Sequence, residues 1–573
     1  MVSNLPGIKS AWGHTRPLVE NILSGRSQGL VYLPVLIVAA LLLAAFNLGC
    51  DSAKAPTIAT PTTLATLEVA DVQTLIAHGV EQAERLNVKA SIAVLDREGN
   101  VLGVFRMTGA PGPDTTVTNP IVGAIAKARS AAYLSSNQHG FSTLTACFIT
   151  RNHFPPDIGN TAAGPLFGVP RSSIGEGDIQ PNGDILAGGP PRGQQGLTGV
   201  PGGVPIFKNG LLAGGYGVST GLPKQADLET ILRSCGGNIE LKDEIIALGG
   251  VLGGFETPAN LRGDGILIDG IRFLFSNADP PAANFTPNFS LNGRGAFDSR
   301  FQIRRTPNPK FPQTAANELF QEVNLGGRFN FTIRAGTALT SVDVRQIITQ
   351  AATQSAKTRA AIRRPPGVPM QVFISVVDVN GAVLGIGRTP DATLFSFDVS
   401  AQKARTAVAF SNPNHPLGQS VRTTLGIPST QGFAISARAV GFLAQDFYPP
   451  GISREEQSLD QPIGPGPFFK MPPMPPDGQE FIFQRDLQDF GLNLFGPNRG
   501  NGITIFPGGA PLYKNGQLAG GVGISGDGVD QDDLVTFAGA LGFEPPPEIR
   551  CDQFMFRGVR LPYVKFPRQP ELR

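Results

Sequence analysis

Charge is what this 573-residue sequence has least of. Only 16% of its residues are Asp, Glu, Lys or Arg, against about a quarter in a typical globular protein. No basic run occurs, and the formal balance is +2. Removing Lys9, Arg16 and Arg26 from 47 basic residues, and Glu20 from 45 acidic ones, leaves 44 of each beyond position 49. A neutral chain without basic tracts excludes nucleic-acid binding and electrostatic docking on anionic lipid. Histidine and cysteine are scarce, at five and four. No Cys-x-x-Cys-His occurs, which excludes covalent c-type haem. No Ser/His/Asp order, acid–base carboxylate pair or His-Glu-x-x-His motif recurs in the chain, so hydrolytic and zinc chemistry have no support.

What the chain does have is a second copy of itself. Ser91-Ile92-Ala93-Val94-Leu95-Asp96, Gly99 and Val101 to Arg106 return as Ser375-Val376-Val377-Asp378, Gly381 and Val383 to Arg388. Lys127-Ala128-Arg129-Ser130-Ala131 returns as Lys403-Ala404-Arg405-Thr406-Ala407. Gly203-Val204-Pro205-Ile206-Phe207-Lys208-Asn209-Gly210 returns as Gly509-Ala510-Pro511-Leu512-Tyr513-Lys514-Asn515-Gly516. A period of roughly two hundred residues is a duplicated domain, too long for a solenoid repeat. Glycine (71) and proline (50) are plentiful, so the loops must be long.

Within a copy the periodicity alternates. Val72, Leu75, Ile76, Val80 and Ala83 form a helical stripe over 71–86. Two β-rich runs follow, around Asp96, which with Asp378 reads as a turn former. Asn119-Pro120 opens a second helix, Asn being a favoured cap and Pro a favoured first-turn residue. A glycine-rich excursion leads to a second hairpin turning at Asn209-Gly210, a type I′ signal. Gly214, Gly215 and Gly217, with Gly520, Gly521 and Gly523, sit inside its second strand, where glycine marks close approach. A last helix, Lys224–Arg233 matched by Gln531–Leu541, leads to Gly-Phe-Glu and a terminal strand holding Arg262, Asp264, Gly270 and Arg272. The layout predicts an α+β fold: two tandem domains, each an antiparallel sheet flanked by helices. They are expected to share one strand order, to keep separate cores, and each to be closed by its own terminal strand.

The N-terminus reads as an export signal. Leu30 to Phe46 is apolar apart from Pro34, follows Lys9, Arg16 and Arg26, and ends at Gly49-Cys50. Asn47-Leu48-Gly49-Cys50 resembles a bacterial lipobox, which makes Cys50 the lipidation site; an uncleaved signal anchor is the alternative. Either way the rest of the chain is exported and membrane-anchored in the cell envelope, periplasmic or at the surface. The expected boundaries are 1–49 signal peptide, 50–65 lipidated cysteine and tether, 66–276 first domain, 277–335 linker, 336–565 second domain and 566–573 tail. Cys147, Cys235 and Cys551 have no counterparts in the other copy, and their pairing is open.

Val94-Leu95-Asp96-x-x-Gly99, Phe105-Arg106-Met107-x-Gly109-Ala110, Lys127-Ala128-Arg129-Ser130-Ala131 and Gly203-Val204-Pro205-Ile206-x-Lys208-Asn209-Gly210 with Gly214-Gly215 resemble the GlcG/HbpS haem-binding family. The same module forms the C-terminal domain of PduO-type proteins. The resemblance covers both copies. It implies a profilin-like sandwich, export, homo-oligomeric assembly and non-covalent binding of haem b, for storage, scavenging or sensing. Enzymatic turnover has less support than binding.

Candidate site residues come from what both copies keep. His139 and His415 each lie twelve residues after the shared lysine; neutral imidazole is a standard axial ligand for haem iron. The alternative is a histidine closing a helix C-terminus. His153 reads as loop packing. Arg106/Arg388, Lys127/Lys403 and Arg129/Arg405 could pair with propionates or another small acidic ligand, or form ordinary ion pairs. Gly214, Gly215, Gly520 and Gly521 leave room beside the sheet, so a pocket is expected in each domain between them and the Lys-Ala-Arg helix. The competing reading is a cofactor-free envelope scaffold or oligomeric small-molecule-binding module.

Overall fold

The structure, a computed structural model, describes residues 64–111, 120–150, 197–221, 242–279, 284–311, 318–326, 330–444 and 504–565, with isolated positions between them. The signal segment, Cys50, Asn119 and His153 lie outside the described residues, as does most of the two glycine-rich excursions.

Copy one opens with α1 (Val69–Arg85), started by a capping box between Glu68 and Asp71. Each carboxylate accepts a backbone N–H that the first turn leaves without a partner. Val72, Leu75, Ile76, Val80 and Ala83 are all fully buried, as the stripe requires. β1 (Ser91–Asp96) and β2 (Val101–Met107) form the first hairpin. Asp96 accepts the Glu98 and Asn100 N–H groups at 2.9 Å, the turn role expected of it. Then come α2 (Pro120–Tyr133), α3 (Thr143–Ile149), β3 (Gly203–Lys208) and β4 (Leu211–Ser219). Asn209 and Gly210 turn between β3 and β4 with φ of 54° and 77°, both left-handed as a type I′ turn demands. α4 (Lys242–Gly250), the small hairpin β5 (Leu267–Ile268) and β6 (Ile271–Arg272), and β7 (Gly295–Phe297) complete it.

The second half runs β8 (Gln321–Glu322), α5 (Ser341–Ser355), β9 (Val372–Asp378), β10 (Val383–Arg388), α6 (Phe395–Ser411), α7 (Pro416–Leu425), α8 (Ala437–Leu443), β11 (Gly509–Lys514), β12 (Gln517–Gly526), α9 (Val529–Gly539), β13 (Met555–Phe556) and β14 (Val559–Arg560). The two antiparallel sheets have matching orders, β3-β4-β1-β2-β7 and β11-β12-β9-β10-β8. Register matches too: Ala93 lies opposite Gly217, and Ser375 opposite Gly523. The fold is α+β, with two sheet-bearing domains. The segment 277–335 joins them and also supplies each sheet's fifth strand, β7 beside β2 and β8 beside β10.

α2 crosses one face of the first sheet, and α1 with α4 covers the other; α6, α5 and α9 repeat this in copy two. A Cβ on Gly217 would overlap the Ala124 carbonyl, and one on Gly523 the Ser400 carbonyl. The strand glycines thus let the Lys-Ala-Arg helices seat directly on the sheets.

Three expectations need correction. The cores are not separate. Each copy keeps its own cluster, around Leu75, Ile92 and Tyr216 in one and Ile347, Ile374 and Leu512 in the other. A further cluster draws on both, with Tyr133, Phe141 and Phe273 joining Phe373, Phe397 and Phe506. The terminal strands do not close the sheets either; β5–β6 and β13–β14 are detached two-stranded hairpins. Finally, Lys224–Arg233 lies outside the described residues, and the counterpart of α9 is α4. Asp243 on α4 pairs with Lys127 as Asp532 on α9 pairs with Lys403. Among the described residues, no helix is long and apolar enough to cross a membrane.

Candidate functional site

The shared cations are turned inward. Lys127 Nζ donates to Asp243 at 2.7 Å and to the Val218 carbonyl at 3.0 Å. Lys403 donates to Asp532 and the Ile524 carbonyl, both at 2.7 Å. Burial pushes Asp532 up to about 7, against the pull of Lys403. Arg129 and Arg405 are fully buried on α2 and α6, and Arg405 donates to the Gly381 carbonyl at 2.8 Å. Arg106 donates to the Ala110 carbonyl at 2.7 Å. Arg388 lies between the Phe311 and Phe373 rings, where burial and then Arg97 lower its pKa to about 10. Lys-Asn-Gly has a structural role as well: Lys208 reaches Asp71 and Lys514 reaches Asp343 at 2.6 Å, tying each hairpin turn to the start of α1 or α5.

The expected pockets beside Gly214, Gly215, Gly520 and Gly521 are filled. A Cβ on Gly215 would overlap the Ala128 carbonyl of α2, and one on Gly521 would crowd the Ala404 carbonyl of α6. Gly214 and Gly520 back in the same way onto the carbonyls of Leu95 and Val377. Those spaces hold backbone rather than ligand.

The two histidines occupy unlike places. His139 is fully buried. Its Nε2 lies 2.9 Å from the Leu134 carbonyl, which can only accept, so Nε2 carries the proton. Nδ1 then accepts from the Ser136 hydroxyl at 2.9 Å. Burial, and Arg363 nearby, hold this imidazole well below its usual range, so it stays neutral. Both ring nitrogens are spent inside the protein. His415 is half-buried and caps α7, its Nδ1 accepting the Leu417 N–H at 3.2 Å. Copy one has no helix equivalent to α7: α3 follows α2 there, as α8 follows α7 in copy two. Equal spacing from the lysine therefore does not give equal position.

A cavity of about 1030 Å³ lies between the copies. One wall is copy one's β5–β6 hairpin with Phe154 and Pro165. The other is the loop 356–371, the start of α9, Arg438 and Lys565. Sixteen residues (356–371) join α5 to β9, where five (86–90) join α1 to β1. Arg363 clamps this loop. Its buried guanidinium pairs with Asp527, with Asp391 at 2.7 Å, and reaches Ser136 Oγ at 3.1 Å. Burial opposes its charge, but Asp527 and Asp391 outweigh that and hold it above its usual range. Counting from the shared motifs, copy one has Gly109 and Gly221 where copy two has Asp391 and Asp527. Arg364 follows, its N–H bonded to the Gln138 carbonyl of copy one at 2.9 Å. The sequence reading missed this site. Its signal was Arg363-Arg364-Pro365-Pro366, a basic pair inside the unequal gap of a charge-poor chain.

A second cavity of about 750 Å³ lies in copy two between Lys514 and Glu544. Its cations are already paired, Lys514 with Asp343 and Arg550 with Asp552. Among the described residues, no group of three or more His, Cys, Asp or Glu could hold a metal ion.

The family described as "Haem degrading protein HbpS-like" matches residues 67–233 and 339–540, one copy each. The chain belongs to the HbpS-like family. Its likeness to curated proteins is short: 42% identity over 65 residues to the corrinoid adenosyltransferase PduO of Citrobacter freundii, and 38% over 65 residues to that of Salmonella typhimurium. Each match covers 11% of this chain and 19% of the relative. Among solved structures, a PduOC:haem complex is 20% identical, covering 36% of this chain and 96% of that one, with a TM-score of 0.21. Klebsiella pneumoniae protein ORFY is 19% identical, covering 34% and 92%, with a TM-score of 0.21. HbpS is 21% identical, covering 34% and 94%, with a TM-score of 0.18. The loop 356–371 lies inside the second matched region, is longer than its counterpart 86–90 in copy one, and carries the contacts of Arg363 with Ser136 and of Arg364 with Gln138.

Proposed function

We propose that this chain is a non-covalent haem-binding protein, exported and anchored to the membrane of the cell envelope, that stores, scavenges or senses haem b. The observation that carries the reading is membership of both copies in the HbpS-like family. A cavity with apolar walls and basic side chains suits the two faces of haem, an apolar macrocycle and two propionates. Export is supported by the n-region, apolar run and Cys50 of the sequence. It is supported again by the Cys147–Cys235 disulfide, a bond that persists in oxidising compartments. Homo-oligomeric assembly belongs to the same reading and is checked by light scattering.

The test is a hemin titration of the purified full chain followed by its Soret band. A saturable shift below about micromolar hemin supports the reading, and no shift overturns it. His139→Ala and His415→Ala address the iron ligands. A changed Soret band in either variant assigns that histidine to iron; an unchanged band in both removes them as ligands. Labelling with a radioactive fatty acid, lost in Cys50→Ser, tests the anchor. A second reading, a cofactor-free binding module, is favoured by one observation: Lys127 and Lys403 are consumed by internal ion pairs.

A further inference from the structure

We propose that the cavity between the copies is a single binding site for an amphipathic carboxylate, one molecule per chain, gripped by Arg359 and Arg364. The proposal rests on the haem reading for naming haem as the occupant, not for the seat itself. The argument begins with the charges on the cavity wall. Arg363 is held by Asp391 and Asp527. Arg438 is held by Asp530 and Asp533, and Lys565 by Asp530. Arg359 and Arg364 have no carboxylate partner among the described residues. Arg364 lies against Gly265, at the foot of copy one's hairpin, and its Nε is buried without a hydrogen-bond partner. A desolvated guanidinium N–H without an acceptor is costly, and a carboxylate is the acceptor its forked geometry matches.

The facing wall supplies the other half. Ile266, Leu267, Ile268 and Ile271 line it, and Leu267 is 55% exposed. An apolar body against the hairpin would cover that leucine while its acid groups reach the arginine loop. Asp269, at the hairpin turn, repels carboxylates from that rim and orients the ligand toward the loop. About 1030 Å³ is room for a ligand as large as a tetrapyrrole, at the upper end of the roughly 300–1,000 Å³ of small-molecule sites. Neither copy can build the site alone. Copy one lacks the long loop and both clamping aspartates, and copy two contributes no part of the apolar hairpin. Stoichiometry therefore follows the chain and not the number of HbpS-like copies.

Titration of the full chain with hemin, and with hemin dimethyl ester that lacks free carboxylates, tests this. The expected result is one equivalent of hemin per chain. Arg359→Gln/Arg364→Gln should weaken hemin at least about tenfold, the range of a lost charged hydrogen bond. Its thermal midpoint should be unchanged, because neither arginine makes an ion pair among the described residues, and the ester should bind both proteins alike. Two equivalents, or unchanged hemin affinity in the variant, overturns the site and leaves the haem reading standing. If the unaltered chain binds no hemin, the haem reading falls and dansyl-undecanoic acid decides the site. Saturable fluorescence that the double variant loses keeps the proposal, and any other result removes it.

Discussion

Lys403 and Asp532 face each other at 2.7 Å with side chains 0% and 2% exposed, and Lys127 and Asp243 repeat the pairing at the same distance. Each lysine also bonds a carbonyl of the glycine-rich strand. One ammonium therefore joins the helix on one face of the sheet, the strand, and the helix on the other face. Removing one partner leaves a buried charge alone. Lys403→Met should cost about 3–5 kcal/mol in denaturant unfolding, and Lys403→Met/Asp532→Leu should recover most of that loss.

The clamp between copies gives a second outcome. Arg363 is fully buried against Asp391 and Asp527 and touches Ser136 of copy one. Arg363→Met should destabilise copy two by about 3–5 kcal/mol. It should also loosen the docking of the copies, so that calorimetry resolves two transitions where the unaltered chain shows one. A single unshifted transition would show that the clamp carries no such coupling.

Glu244 sets a pH dependence. Burial pushes its carboxyl up to about 7, although it accepts the Asn277 N–H. In the unfolded chain it titrates near 4.3. Below about pH 4 it is protonated in both states and opposes nothing. As pH rises toward 7 the unfolded chain ionises first, so the folded state loses about 3 kcal/mol of relative stability. Glu244→Gln should flatten that part of the stability profile, measured by urea unfolding at successive pH values.

The disulfide offers a redox test. Cys147 on α3 is bonded to Cys235 across 88 residues of sequence, while Cys551 is buried and free. Reduction, or Cys147→Ser/Cys235→Ser, should cost about 2–4 kcal/mol. Thiol labelling of the native oxidised chain should find no reactive cysteine among these three, and burial, which pushes the Cys551 thiol up to about 12, keeps that one inert.

Repetition made the fold legible. Two hairpins at Asn-Gly or Asp-turn signals, an apolar stripe on α1 and glycines facing α2 each obey local rules that survive in both copies. The site was not legible by the same route. Searching for what the copies share selected Lys127, Lys403 and their neighbours, which are kept because they hold each domain together. What distinguishes the copies builds the cavity: Arg363 and Arg364 in an inserted loop, and Asp391 and Asp527 in place of glycines. His139 and His415 misled for a related reason. Sequence distance from a helix fixes direction only while the helix continues, and beyond α2 and α6 the two copies take different paths.

The connector between the domains carries a consequence for assembly. β7 and β8 lie along one flank of each sheet, and neither exceeds three residues. On the opposite flank Pro205 has no N–H to offer, while the N–H groups of Gly203 and Phe207 are taken by Thr143 Oγ1 and the Phe255 carbonyl, both at 3.0 Å. Pro511 and the bond from Tyr513 to the Phe543 carbonyl repeat the arrangement. A strand from another molecule thus meets no run of waiting donors on either side. Among the described residues, then, neither five-stranded sheet favours growth by extending its ladder, so a particle built on these two sheets would be joined through their side-chain faces and its geometry set by surface shape.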